Sequence, residues 1–140
     1  MKRKIFLRTI ALGLVLLTCV AVAGCAGGLK ESDVSYADPV ADNILAAIKD
    51  GDYAAFSRDF SDVMKKAIPE DSFQNEIVGW FGALGEMKGK TFAGAADKAE
   101  NGINYTIVIY KVKYEKADVQ LTLTFGGSDE KKLVEGLFYK

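Results

Sequence analysis

With no histidine among its 140 residues, this chain can run acid–base chemistry only through carboxylates, tyrosines and lysines. The Ser-His-Asp and Cys-His nucleophile arrangements are excluded, as are imidazole-ligated zinc and haem sites. What remains is a carboxylate base working with a phenol donor. Asp59 and Asp62 with Tyr105 or Tyr110 are the residues that fit, because a carboxylate buried among apolar groups has its pKa moved toward neutrality. Both aspartates, however, fall on the polar side of a helical pattern, where a solvated charge is the default. No residue is therefore assigned a catalytic role. Asp50-Gly51-Asp52 looks like a piece of a calcium loop but lacks the spaced ligands and the closing Glu. A helix stop followed by a helix cap accounts for it fully. No metal and no cofactor is expected.

Cys25 carries a different chemistry. It ends a segment in which Met1-Lys2-Arg3-Lys4 and Arg8 form a cationic head and Thr9 to Val22 an uncharged apolar run, the pattern of an export signal. Val22-Ala23-Gly24-Cys25 resembles the lipobox of prokaryotic lipoproteins, an aliphatic residue and two small ones before the cysteine that takes diacylglycerol. The resemblance implies cleavage after residue 24 and attachment of diacylglycerol and palmitate at Cys25. The alternative is an uncleaved anchor over Thr9 to Ala26, near the shortest length that spans a bilayer. Both readings leave the domain on the extracytoplasmic side of the cell membrane. Cys19 is an apolar filler of the leader, so no disulfide framework is available.

The whole chain carries a formal charge of -1. Taking the four basic residues of the leader from 18 leaves 14 against 19 acidic ones, a net charge of -5. Such a domain does not suit a nucleic-acid partner, whose phosphates call for a basic surface. Its partners are expected to be the membrane, through Cys25, and a second copy or another envelope protein.

Residues 25–38 read as a flexible tether with Gly27-Gly28, and residues 39–140 as one domain. Asp38 is placed to cap a helix that Pro39 opens and Gly51 ends. Asp52 caps a second, whose stripe Tyr53, Phe56, Phe60, Val63, Met64 and Ala67 runs at three- and four-residue steps. Pro69 opens a third, with Phe73, Ile77, Trp80, Phe81 and Leu84 on one side. Its Gly79, Gly82 and Gly85 fall near another side, where a sheet or ligand could approach closely. After Gly89 the period becomes two. Lys90 to Ala99 is a weak strand with a bulge or edge at Gly94, Ile103 to Glu115 a strong one, and Val119 to Phe125 and Lys132 to Tyr139 complete a four-stranded antiparallel meander. The fold class is α+β, with about three helices ahead of the sheet.

That order, with Asp52-Tyr53-Ala54-Ala55-Phe56-Ser57-Arg58-Asp59-Phe60, Met64-Lys65-Lys66-Ala67, Phe73, Tyr110-Lys111-Val112-Lys113-Tyr114-Glu115 and Gly136-Leu137-Phe138-Tyr139, resembles a domain-of-unknown-function family of the cystatin-like, nuclear transport factor two-like cone fold. Members of it occur in envelope lipoproteins and some precede alpha/beta-hydrolase domains. The resemblance implies a curved sheet with a pocket between helices and sheet, which Phe56, Phe60, Phe73, Trp80, Phe81, Tyr110 and Phe125 would line if they were not simply core. Tyr105, Ile107 and Ile109 make the strong strand apolar on its second face as well, and so are candidate interface residues. The function expected is binding of a small apolar ligand, a peptide or an envelope partner without catalysis. The alternative is a small hydrolase or isomerase using the Asp/Tyr site.

Overall fold

In a computed structural model the described residues are 28–128 and 131–140. The leader and Cys25 lie outside them. Four helices precede one open antiparallel sheet, an α+β arrangement in which helices α1 to α4 cover one sheet face. The helices are α1 (Ala37–Asp50), α2 (Tyr53–Phe56) and α3 (Asp62–Ala67). The fourth, α4, is a continuous run of Glu70–Ser72, Phe73–Val78 and Gly79–Gly82. The sheet follows as a meander, β1 (Met87–Glu100), β2 (Ile103–Tyr114), β3 (Asp118–Ser128) and β4 (Lys131–Tyr139), each strand paired with the next. The residues that link β3 to β4 lie outside the described set.

Helix α1 forms because Ala41, Ile44, Leu45 and Ile48 recur at helical steps and are buried. It stops at Gly51, whose φ of 68° is open to glycine without a Cβ penalty. Its start differs from the expected Asp38 cap. The helix opens at Ala37, and the Asp38 carboxylate is drawn instead to the Lys90 ammonium, 2.7 Å away on β1. Asp52 does cap α2, accepting from the Ala55 N–H at 3.0 Å.

The helix expected over 53–67 is two helices. Between them the backbone leaves the helical path to pair with β4: Val134 N–H donates to Asp59 O at 2.8 Å and Ser61 N–H to Val134 O at 3.0 Å. This short parallel bridge occupies an edge that would otherwise offer unpaired groups. Ser61 then restarts the helix, its hydroxyl accepting from Met64 N–H. The break splits the expected stripe: Phe56, Phe60 and Met64 still point into the core, whereas Val63 and Ala67 on α3 are turned out to solvent.

Helix α4 also departs from a regular pitch. Over Phe73–Val78 its hydrogen bonds take the wider five-residue spacing, which turns the chain through fewer degrees per residue. Phe73, Ile77 and Phe81 stay buried while Trp80 is rotated outward to 39 % exposure, packing on Tyr139 at 4.7 Å. No element of the sheet closes on Gly79 or Gly82: a Cβ at either would meet nothing within 4 Å.

Strand β1 is an edge strand with register shifts at Met87/Gly89 and Phe92/Gly94, the second at the glycine expected to mark a bulge. On β2, Thr106, Val108, Tyr110, Val112 and Tyr114 face the helices, and Tyr105, Ile107 and Ile109 the other side. The expected tether is, from Leu29 onward, laid against the fold. Leu29 N–H donates to Ala95 O at 2.8 Å, a single helical turn covers Glu31–Val34, and Val34 is buried. Tyr36 meets Phe125 edge-on at 5.2 Å. The apolar side chains Leu29, Val34 and Tyr36 gain more from this contact than a Gly-Ser composition suggests.

Candidate functional site

Between α1, α4 and the start of the sheet lies a cleft of about 630 Å³, within the range that holds small-molecule ligands. A single stripe of α1, Asp42, Leu45, Ala46 and Lys49, forms one wall together with Ile48. Val78, Phe81 and Gly82, one helical turn of α4, form the opposite wall, and Met87 and Tyr114 close the floor. Two local devices keep the walls apart. Gly82 has no side chain to fill the space it borders, and Gly85 turns the chain out of α4 with φ 82°. A Cβ at Gly85 would collide with the Glu115 carboxylate, so this turn requires glycine.

The rim is charged, and apart from Lys49 its charges are mutually paired. Glu115 accepts from the Glu86 N–H at 3.1 Å and lies 3.1 Å from Lys88. The Glu86 amide, then Lys88, hold the Glu115 carboxyl below the usual range, and Glu115 and Glu86 raise the Lys88 ammonium. Asp42 is bound to Lys90, again at 2.7 Å. Lys90, its side chain only 10 % exposed, also holds Asp38 and lies 4.6 Å from the centre of the Tyr110 ring. Tyr114 has its phenol pushed up to about 12 by burial. At neutral pH the cleft therefore offers apolar walls, a neutral phenol, the Lys49 ammonium and an otherwise paired ionic rim.

Among the residues expected to line a pocket, Phe81 alone lines this cleft. Phe56 packs against Phe60 and Phe73, with ring centres 4.9 and 4.4 Å apart, and all three are core. Tyr110 and Phe125 are buried core as well. The aspartates and tyrosines considered for catalysis are not gathered into a site. Asp59 is bound by Arg58 at 2.8 Å and Asp62 is exposed in the first turn of α3. Tyr105 and Tyr110 lie on opposite faces of β2. Tyr110 is raised by burial and by Asp38, Glu31 and Asp42, none of them the aspartates first considered. Among the described residues no group of three potential metal ligands occurs, and no helix is long and apolar enough to cross a membrane.

Leu45, Ala46, Val78, Met87 and Tyr114 went unrecognised in the sequence as lining residues. The three-residue series of glycines was the available signal: Gly82 and Gly85 do border a space, though one left open and not one filled by a neighbouring element.

Fold and cleft define a small α+β domain with helices on one face of a four-stranded sheet and a recess where the two layers part. The chain belongs to the family described as protein of unknown function (DUF3887), whose model matches residues 41–137. That span contains every residue lining the cleft. Among curated proteins none matches.

Proposed function

We propose that this protein is a lipid-anchored envelope protein, held at the extracytoplasmic face of the cell membrane by Cys25, whose domain binds a small apolar ligand without catalysis. The fold is read as a cystatin-like cone of the nuclear transport factor two-like kind. The helix-before-meander order and the recess between layers support that reading.

The single observation that carries the binding function is the cleft of about 630 Å³ with Leu45, Ile48, Val78, Phe81 and Met87 on its walls. Burial of a ligand there is favoured at roughly 25 cal/mol per Å² of apolar surface. A hydrolase or isomerase would need a carboxylate and a phenol converging on that space, and the two carboxylates that line it, Asp42 and Glu86, are paired with Lys90 and Lys88.

The test is organic extraction of the protein purified from its own membranes, followed by mass spectrometry. One apolar species recovered per chain from the wild type, and lost on Ala46→Trp, supports the reading; equal recovery from both contradicts it. Anchoring is tested separately by labelled palmitate, which Cys25→Ser should no longer incorporate.

A further inference from the structure

Among the described residues nothing covers the sheet face turned away from the helices. Ile103, Phe138 and, beside them on α3, Val63 are 52 %, 71 % and 72 % exposed. They border a shallow groove of about 440 Å³ with Tyr105 and Ile107. A face of this kind needs an occupant, and three observations select one.

The first is where the preceding chain must go. Leu29 is fixed to Ala95 on the β1 edge by a 2.8 Å hydrogen bond, and Cys25 lies four residues before it. Four residues reach at most roughly 14 Å. Ile107 is two strand spacings from Leu29, roughly 10 Å. The second is direction. The Leu29–Ala95 bridge is antiparallel, so the step from Leu29 back to Gly28, the first described residue, points along β1 toward the β1–β2 hairpin, where Ile103 begins the apolar face. The third is charge. The helical side carries Asp42, Asp50, Glu70 and Asp71 at its surface, whereas the open face continues from Ile109 into Lys111 and Lys113. On this face Glu100 is paired with Lys98 at 2.8 Å, Asp118 stands opposite Lys113 in the β2–β3 register, and Glu135 accepts from Ser61. An anionic bilayer repels the acidic helical side more than the open face, where acidic groups are matched by lysines.

We infer that the open sheet face lies against the lipid bilayer, with Ile103, Phe138 and Val63 entering the interfacial layer and Tyr105 at headgroup level. The inference rests on the anchoring reading, and holds equally for a lipidated Cys25 and for an uncleaved apolar segment ending there. The short reach turns the anchor into an orienting device and leaves the cleft facing away from the membrane.

The test uses full-length protein purified from its membranes and returned to phosphatidylcholine–phosphatidylglycerol vesicles containing brominated lipid, a contact quencher of indole emission. Phe138→Trp and, separately, Ile103→Trp each add an emitter to a surface position that tolerates it. The added emission should be mostly lost in brominated vesicles, while that of Trp80 in the wild type is equal in brominated and plain ones. Protein that floats with the vesicles but shows no quenching at either position overturns the inference and leaves the anchor intact. Absent quenching with chain-to-chain cross-linking at these positions gives the face to a second copy. Failure to float overturns the anchoring reading, and this inference with it.

Discussion

Lys90 places its ammonium 2.7 Å from the Asp42 carboxylate, fastening strand β1 to the stripe of α1 that walls the cleft. Asp38, one helical turn earlier, completes the clamp at the same distance. The cation is nearly buried and the two carboxylates are half exposed, so the energetics are uneven. Losing the lysine leaves two like charges facing each other, whereas losing one aspartate leaves the other in place.

Lys90→Met should therefore cost about 1–3 kcal/mol, the range for charge-assisted bonds at partly buried sites. Asp38→Asn and Asp42→Asn should each cost less than about 1 kcal/mol and the pair together more than their sum. Urea denaturation of the four variants checks the order. Equal losses for the lysine and the single aspartate variants would contradict the clamp.

Alkaline pH should loosen the same region. Tyr114 ordinarily titrates near 10, and burial pushes it up to about 12. Since the folded state holds the proton more tightly, the tyrosine's contribution is complete below pH 10 and disappears as pH rises toward 12. Tyr110 and Tyr139 are raised in the same direction. A spectrophotometric titration should show Tyr110, Tyr114 and Tyr139 ionising late, and Tyr114→Phe should remove one of these late steps.

At the rim the sign reverses. Glu115 is held below the usual carboxylate range by the Glu86 amide and Lys88, so its contribution is present above the ordinary carboxylate pKa and is lost as pH falls through the lowered one. Amide exchange at Glu86, corrected for its intrinsic pH dependence, should accelerate on acidification in the wild type and be fast throughout in Glu115→Gln. Gly85→Ala should destabilise by at least about 1–2 kcal/mol, the penalty of a left-handed conformation alone, because its Cβ also meets that carboxylate.

Ser61 serves two elements, capping α3 through Met64 N–H and donating to Glu135 on β4 at 2.8 Å. Ser61→Ala should cost about 1–2 kcal/mol, at the upper end for a helix cap because the second bond goes too. Thermal unfolding measures it, and a loss within about 0.5 kcal/mol, as at an ordinary surface position, would contradict the double role.

The strands were legible in the sequence because alternation on β2 and β3 is strict: Val108, Tyr110 and Val112, then Val119, Leu121 and Leu123, are buried as the pattern requires. The helices were legible as apolar stripes but not as hydrogen-bonded units. Nothing local in Phe56 to Phe60 announces that Asp59 and Ser61 will pair with Val134, more than seventy residues later. The wide turns of Phe73–Val78 are likewise a product of packing, and they decide that Phe81 faces the cleft while Trp80 does not. The cleft was the least legible feature, since large aromatic residues announce a core, while a recess depends on what is missing, here the side chain of Gly82.

That absence permits the most direct test of the binding function. Gly82 borders the cleft, and a Cβ there meets nothing within 4 Å, so Gly82→Leu fills the recess without disturbing the core and favours the helix by about 1 kcal/mol. The measurement is titration of an apolar fluorescent probe such as N-phenyl-1-naphthylamine into both proteins, with urea denaturation as the control for folding. Saturable one-to-one binding by the wild type, lost in an equally or more stable Gly82→Leu, is the predicted result. Binding that is absent from the wild type, or unchanged in the filled variant, would contradict the assignment of the cleft as the ligand site.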